Sequence, residues 1–352
     1  MHPFIIRPAD VLRSGHDLVG LILTQEVRDP ESGTRVFHKG HAITMEDLAT
    51  LARLDHEIHA VRLDADDVHE DQAAIRLAEL IRGEGLMQRR PVQSRVNVVS
   101  ERKGLLRVDA EAVFTINTFD GVGVFTAPDR LPILPGTIVA GAKIAPVSIP
   151  RSMIDEIGDY LATRVRPMLV VLPFKPLVAG VIVTEGLNET VRERFELSVR
   201  KKIGWYGASV LRFEHVADTA SSVSTAARTM LADGATLLLS AGGNMMDPLD
   251  ASIQALPEFD ASLVRLGAPA HPGSMFWLGY TNEANIPVVN LASCSMYSKS
   301  TVADLVLPWV MAGEKVTSND LASLGYGGLL DRHMSWRFPP YDEQSVDEPD
   351  EK

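Results

Sequence analysis

Between residues 177 and 184 the chain is almost uninterruptedly apolar. After Asn188 the rhythm changes, with Val191, Phe195, Val199 and Ile203 at every fourth position before Gly207. The first pattern predicts a strand buried on both faces, the second an amphipathic helix. The alternation then continues. Strands are predicted over 210–216 and 236–239, with a helix over 221–231 and a turn at Asp233-Gly234 between them. Further strands are predicted over 263–266, 275–278 and 288–291, and a helix over 302–311. Near-continuous apolar strands separated by helices imply an α/β fold built on a parallel sheet.

The first half is patterned differently. Residues 18–27 are strand-like, 29–33 have turn composition, and Val36-Phe37 supplies a return strand, which together predict a hairpin. Thr44 with Asp47 three residues on is a candidate helix cap ahead of Leu48, Leu51 and Leu54, and a helix is predicted over 68–82, ending at Gly83. From 96 to 149 short apolar runs are punctuated by glycine and proline, the signature of a β-rich region. A helix over 152–165 follows, with Ile154, Ile157 and Leu161 at helical spacing, and the break at Arg166-Pro167 marks the main boundary. The expected organisation is a mixed α/β region over 1–90, a β-rich subdomain with its connecting helix over 91–165, an α/β domain over 166–330 and a tail over 331–352. The acidic end of that tail, 342–352, contains Val346 as its only apolar residue and is expected to be disordered.

Composition narrows the function classes. With 352 residues, 45% of them hydrophobic, the chain can bury a sizeable core. Lys plus Arg is 34 and Asp plus Glu 46, so the net charge is 34 − 46 = −12, which repels nucleic-acid backbones and anionic membranes. The single cysteine, Cys294, cannot form an internal disulfide, and a reducing cytoplasm is the expected compartment. Pro3, Arg7, Pro8 and Asp10 interrupt the start where a secretory signal needs an apolar stretch, and no run of 18 apolar residues occurs elsewhere.

The segment 236–255 is the most informative for chemistry. An apolar strand ends at Ser240-Ala241-Gly242-Gly243, and a helix start follows, with Asp247 and Asp250 at the turn. Strand ends in a parallel sheet open onto a crevice, glycines let backbone approach a ligand, and free N–H groups at a helix start accept an anion. Both aspartates are equally readable as first-turn residues favoured by the helix dipole. The loop carrying Ser293, Ser295, Tyr297, Ser298 and Lys299 is either a phosphate or polar-edge contact or a plain capping loop, and Cys294 is either a reactive thiol or a small buried residue. Seven of the ten histidines fall before residue 70, and the acidic run Asp64, Asp66, Asp67, Glu70 and Asp71 opens a helix; surface solvation and the helix dipole account for both, with a cation site the alternative.

Ser240-Ala241-Gly242-Gly243 with Asp250 seven residues on resembles the Thr-Gly-Gly motif and downstream aspartate of the molybdopterin-binding domain, found in molybdopterin adenylyltransferase and molybdopterin molybdotransferase. The strand ending at Thr184-Glu185-Gly186 and the segment 211–218 stand in the order the resemblance implies. Gly267 to Tyr280, with Pro272-Gly273, resembles the family's Pro-Gly loop and following strand. The similarity covers roughly 175–313. There are departures: Asn244 stands where a hydroxyl residue is usual, Met245-Met246 follow it, and Asp247 replaces a glycine. Glu185 lacks the family's Gly-Asp-Glu order, and 291–300 replaces its Pro-Gly-Asn-Pro turn.

The resemblance implies a three-layer parallel-sheet molybdopterin-binding domain preceded by the mixed α/β and β-rich regions. It further implies Asp218 and Asp250 as catalytic carboxylates, Asp250 also as a metal ligand for Mg²⁺, with ATP or molybdate as co-substrate. Ligand contacts would come from Thr184, Glu185, Ser240, Gly242, Gly243, Asn244, Asp247, Pro272, Gly273, Ser293, Ser295 and Lys299. The expected function is molybdenum cofactor biosynthesis, with molybdopterin or its adenylylated form bound and adenylyl transfer or molybdate insertion catalysed. The alternatives are a non-catalytic molybdopterin carrier or sensor serving a molybdoenzyme, and a binder of another phosphorylated heterocycle. Expected partners are the pterin itself, further copies of the chain, and a molybdoenzyme or another cofactor-biosynthesis protein.

Overall fold

The computed structural model describes residues 1–242, 247, 249–291 and 301–342. The chain divides into two units, the first made of residues 1–102, 106–129 and 135–171, the second of 103–105, 130–134 and 172–352.

In the first unit, strands His2–Ile6, Ile58–Arg62 and Ile22–Leu23 form an antiparallel sheet with Ile58–Arg62 in the centre. The expected hairpin pairs Val27–Arg28 with Arg35–Phe37. A helix over Pro8–Leu18 was not anticipated from the apolar pattern, because Val11 is buried while Leu12 is exposed; Pro8 at its first position is the start signal. Thr44 is not a cap. Its N–H and hydroxyl both donate to the Asp47 carboxylate at 2.8 Å, and Asp47 itself stands at the start of the short helix Leu48–Leu51. The 96–149 region is β-rich as expected, with Val122–Thr126, Ile138–Ile144, Arg95–Ser100 and Leu86–Gln88 side by side. It also holds a helix, Ala110–Ile116, capped by Asp109, whose carboxylate accepts from the Ala112 N–H at 3.0 Å.

Among the described residues the main sheet of the second unit has six strands: β1 (Val178–Val183), β2 (Ser209–His215), β3 (Leu237–Ala241), β4 (Ala261–Leu266), β5 (Trp277–Thr281) and β6 (Pro287–Leu291). Their order across the sheet is β2-β1-β3-β6-β5-β4. β1 is parallel to β2 and β3, and β3 to β6, so four consecutive strands run one way. The sheet is not parallel throughout. β5 is antiparallel to both of its neighbours, because residues 282–286 between β5 and β6 allow a hairpin, whereas a parallel crossover needs about a dozen residues.

The helices are α1 (Glu189–Trp205), α2 (Ala220–Ala232), α3 (Ala251–Ala255), α4 (Val302–Met311) and α5 (Ser318–Ser323). Period-two alternation along the strands separates two cores. Ala179, Val181, Val183, Leu237, Leu239, Ala241, Val289 and Leu291 pack with Phe195, Val199 and Ile203 of α1 and with α4. Ile182, Leu238, Val288 and Trp277 pack instead with Val223, Ala226, Ala227 and Met230 of α2 and with α3. A short 3₁₀ segment, Arg332–Arg337, lies in the region read as tail. Among the described residues no helix is long and apolar enough to cross a membrane.

Candidate functional site at the carboxyl ends of the strands

Three of the four parallel strands, β1, β2 and β3, hand over to a helix through a polar cap. Asn188 Oδ1 accepts from the Val191 N–H at 3.0 Å ahead of α1, Thr219 Oγ1 from Ser222 N–H at 3.3 Å ahead of α2, and Asp250 Oδ1 from Ser252 and Ile253 N–H at 3.0 and 3.2 Å ahead of α3. These turns all lie at the carboxyl edge of the sheet, where ligands of open α/β sheets bind.

Thr184, Glu185 and Gly242 come together there. The Thr184 N–H donates to Ala241 O at 3.0 Å, joining the ends of β1 and β3. Gly242 has φ +104°, and a Cβ on it would fall 2.7 Å from Thr184 Oγ1 and 2.8 Å from Glu185 N, so only glycine lets the two strand ends approach this closely. One residue back from the edge, Ser240 and Asn290 are partners in the β3–β6 register, and both are 4% exposed. Ser240 Oγ, Asn290 Oδ1, Ser252 Oγ and Thr184 Oγ1 are buried atoms without a hydrogen-bond partner. Leaving a buried polar atom unpaired costs about 1–3 kcal/mol. Four of them on adjoining elements form a polar tier without partners among the described residues. The cavity beside Ser240 and Ser252, walled by Val223, Phe259 and Trp277, measures only about 10 Å³, room for one water and no heterocycle.

Pro272 and Gly273 gather at a second place, the start of α4. The Val302 N–H donates to Pro272 O at 3.2 Å, and a Cβ on Gly273 would fall 2.7 Å from Val302 N. The first turn of α4 is itself fixed by a buried ionic network. Asp304, 1% exposed, accepts from the Thr301 N–H and hydroxyl through Oδ2, at 3.0 and 3.1 Å, and through Oδ1 from Lys202 Nζ and the Tyr341 hydroxyl, both at 2.8 Å. Burial pushes the Tyr206 and Tyr341 hydroxyls well above the ordinary tyrosine range.

The two aspartates singled out as catalytic have different surroundings. Asp218 lies in the exposed turn between β2 and α2, whereas Asp250 is 7% exposed and gives Oδ1 to two backbone N–H groups of α3. Asp247 is exposed and its Oδ1 accepts from the Leu249 N–H at 2.9 Å. Among the described residues no three side chains from His, Cys, Asp and Glu are gathered to hold a metal ion. Gly243, Asn244, Ser293, Ser295 and Lys299, with Cys294, lie outside the described residues. Asn290 and Ser252 belong to the tier and were missed in the sequence. Each is a lone polar residue in an otherwise apolar stretch, and only its place opposite Ser240 or behind Asp250 could have marked it.

No family model and no curated protein matches the chain. Among the solved structures that match is one assigned to molybdenum cofactor biosynthesis, from Corynebacterium diphtheriae. It is 18% identical with a TM-score of 0.28, over 40% of this chain and 97% of that one. So distant a likeness carries no argument about the site, which rests on the geometry above.

Proposed function

We propose that the second unit binds molybdopterin or its adenylylated form at the carboxyl ends of β1, β3 and β6, as a three-layer molybdopterin-binding domain serving molybdenum cofactor biosynthesis. The observation that carries this reading is the tier of buried, unpartnered polar atoms on Thr184, Ser240, Ser252 and Asn290. A pterin presents a planar edge crowded with hydrogen-bond donors and acceptors, and hydroxyl and amide groups held apart from water discriminate such edges strongly. Gly242, packed against Thr184 and Glu185, lets the ligand approach backbone, and Pro272 and Gly273 frame the start of α4. Ser293, Ser295 and Lys299 are the side chains proposed for the ligand's phosphate.

The engagement of Asp250 Oδ1 by the first turn of α3 favours binding and presentation of the pterin over its turnover. Asp218 and Asp250 do not make a metal-ligand set of three with other described residues. The proposed partner is then a molybdoenzyme or another protein of the same biosynthesis, engaged by a self-associated form of the chain.

The test is to purify the protein from a molybdopterin-producing host, denature and oxidise it, and quantify pterin fluorescence with phosphate and AMP. Stoichiometric pterin is expected, and accompanying AMP identifies the adenylylated form. Absence of pterin, together with no binding of added molybdopterin, overturns the assignment; another phosphorylated heterocycle released in its place would redirect it.

A further inference from the structure

Away from the strand ends, the second unit holds an open groove of about 520 Å³ walled by Lys103, Lys201, Gly204, Trp205, Tyr341 and Asp342. Lys103 stands over the Trp205 ring, its Nζ 3.9 Å from the ring centroid, and donates to Trp205 O at 2.7 Å. An ammonium has three donors, and among the described residues Lys103 has no carboxylate partner. Half-burial pulls its pKa below the ordinary lysine range. Lys201, which also lines the groove, is held by the carboxylate of Asp342. In a chain of net charge −12 Lys103 is one of the half-buried cations, with Arg337, whose described partners include no carboxylate, and an oxyanion is a group that would complete it. At Lys201 the Asp342 carboxylate already supplies one.

We propose that this groove binds a phosphate group between Lys103 and Lys201, with the Asp342 carboxylate giving up Lys201 when the anion enters. Lys103 supplies a compact charge fixed in place by the Trp205 ring and carbonyl, the form in which lysine binds phosphate. The site is independent of the strand-end reading and shares no residue with it.

The experiment is calorimetric titration of the intact chain with inorganic phosphate and, separately, AMP, at an ionic strength held constant with chloride. Saturable binding is expected, with the tighter probe showing whether the phosphate is taken free or as a monoester. Lys103→Met should weaken it at least tenfold, Lys103→Arg should retain it within about threefold, and Asp342→Asn should tighten it several-fold by removing the internal competitor. A residue-specific readout on the unaltered protein guards against variants that do not fold: acylation of Lys103 by a water-soluble succinimidyl ester, followed by peptide mass spectrometry, should slow several-fold as phosphate saturates. Acylation of Lys103 at the same rate in phosphate and in chloride, or binding unchanged in Lys103→Met, overturns the proposal.

Discussion

The two faces of the six-stranded sheet are built from the same strands yet solve burial differently. On the face toward α1 and α4, β3 and β6 contribute Leu237, Leu239, Ala241, Val289 and Leu291, all apolar, and the buried charge of Asp304 is met by Lys202, Tyr341 and Thr301. On the face toward α2 and α3 the same strands contribute Leu238 and Val288, then Ser240 and Asn290, and with Ser252 these leave three polar atoms unpaired. The first face uses Asp304 to hold itself together, although Trp309 Nε1 on α4 is also a buried atom without a partner among the described residues. The second leaves three polar atoms, on β3, β6 and α3, without partners among the described residues near the strand ends, at a cost to stability. That asymmetry is why the proposed ligand site is put on the α2 and α3 side of the edge.

The largest expected effect comes from breaking the network on the first face. Lys202→Met removes the cation from a carboxylate that is 1% exposed, and an uncompensated buried charge costs about 3–5 kcal/mol. Urea unfolding should show a loss of that order. Because Thr301 and Val302 start α4 against Pro272 and Gly273, pterin binding should weaken in the same variant. A loss under about 1 kcal/mol would mean that the network is not what holds this face.

Next in size is the double substitution Ser240→Ala with Asn290→Leu, which makes the second face as apolar as the first. Two lost ligand hydrogen bonds at about 0.5–1.5 kcal/mol each predict pterin affinity lower by roughly fivefold to somewhat over a hundredfold, with the thermal midpoint held or raised. Unchanged affinity measured by fluorescence titration would separate the tier from the ligand and return it to a packing role.

How much of this was open to view in the sequence depends on what each residue type signals locally. β1, β3 and β6 were legible because strands buried on both faces read as unbroken apolar runs, and α1 because Phe195, Val199 and Ile203 repeat at helical spacing. The reversal of β5 was not legible, since direction is a property of connection length and pairing and Trp277–Thr281 carries no mark of it. Gly242 announced the turn at the end of β3. Ser240 was legible only through the motif that contains it, and Asn290 not at all, because the absence of a partner is a three-dimensional fact. Lys202 and Asp304, 102 positions apart in the numbering, likewise became a pair only through the packing of α1 on α4.

Smaller again is the cap of α3. Asp250→Ala removes the acceptor for two backbone N–H groups and should cost about 1 kcal/mol, whereas Asp250→Asn keeps an acceptor in place and should fall within a few tenths of the unaltered protein. The pair sharpens the distinction between carrier and enzyme. Under the binding reading, Asp250→Asn holds pterin with unchanged affinity and there is no turnover to lose. Adenylyl transfer or molybdate insertion detected in the unaltered protein and abolished in Asp250→Asn would establish the carboxylate as catalytic.

The smallest effect is the most discriminating, because its sign is opposite to the usual one. Ser240→Ala takes a hydroxyl with no partner out of a site that is 4% exposed, so the folded state loses an unpaired polar group and little packing volume. Most substitutions of buried residues destabilise by 0.5–3 kcal/mol, yet here the unliganded protein should be unchanged or more stable by up to about 1 kcal/mol. In the presence of saturating pterin the order should reverse, since ligand stabilises the folded state in proportion to its affinity and Ser240→Ala binds it less tightly. Crossing of the two thermal midpoints on adding ligand would show stability exchanged for binding at one side chain. If Ser240→Ala proved less stable than the unaltered protein with and without ligand, the Ser240 hydroxyl would belong to the fold, and the contrast between the two faces would lose its functional meaning.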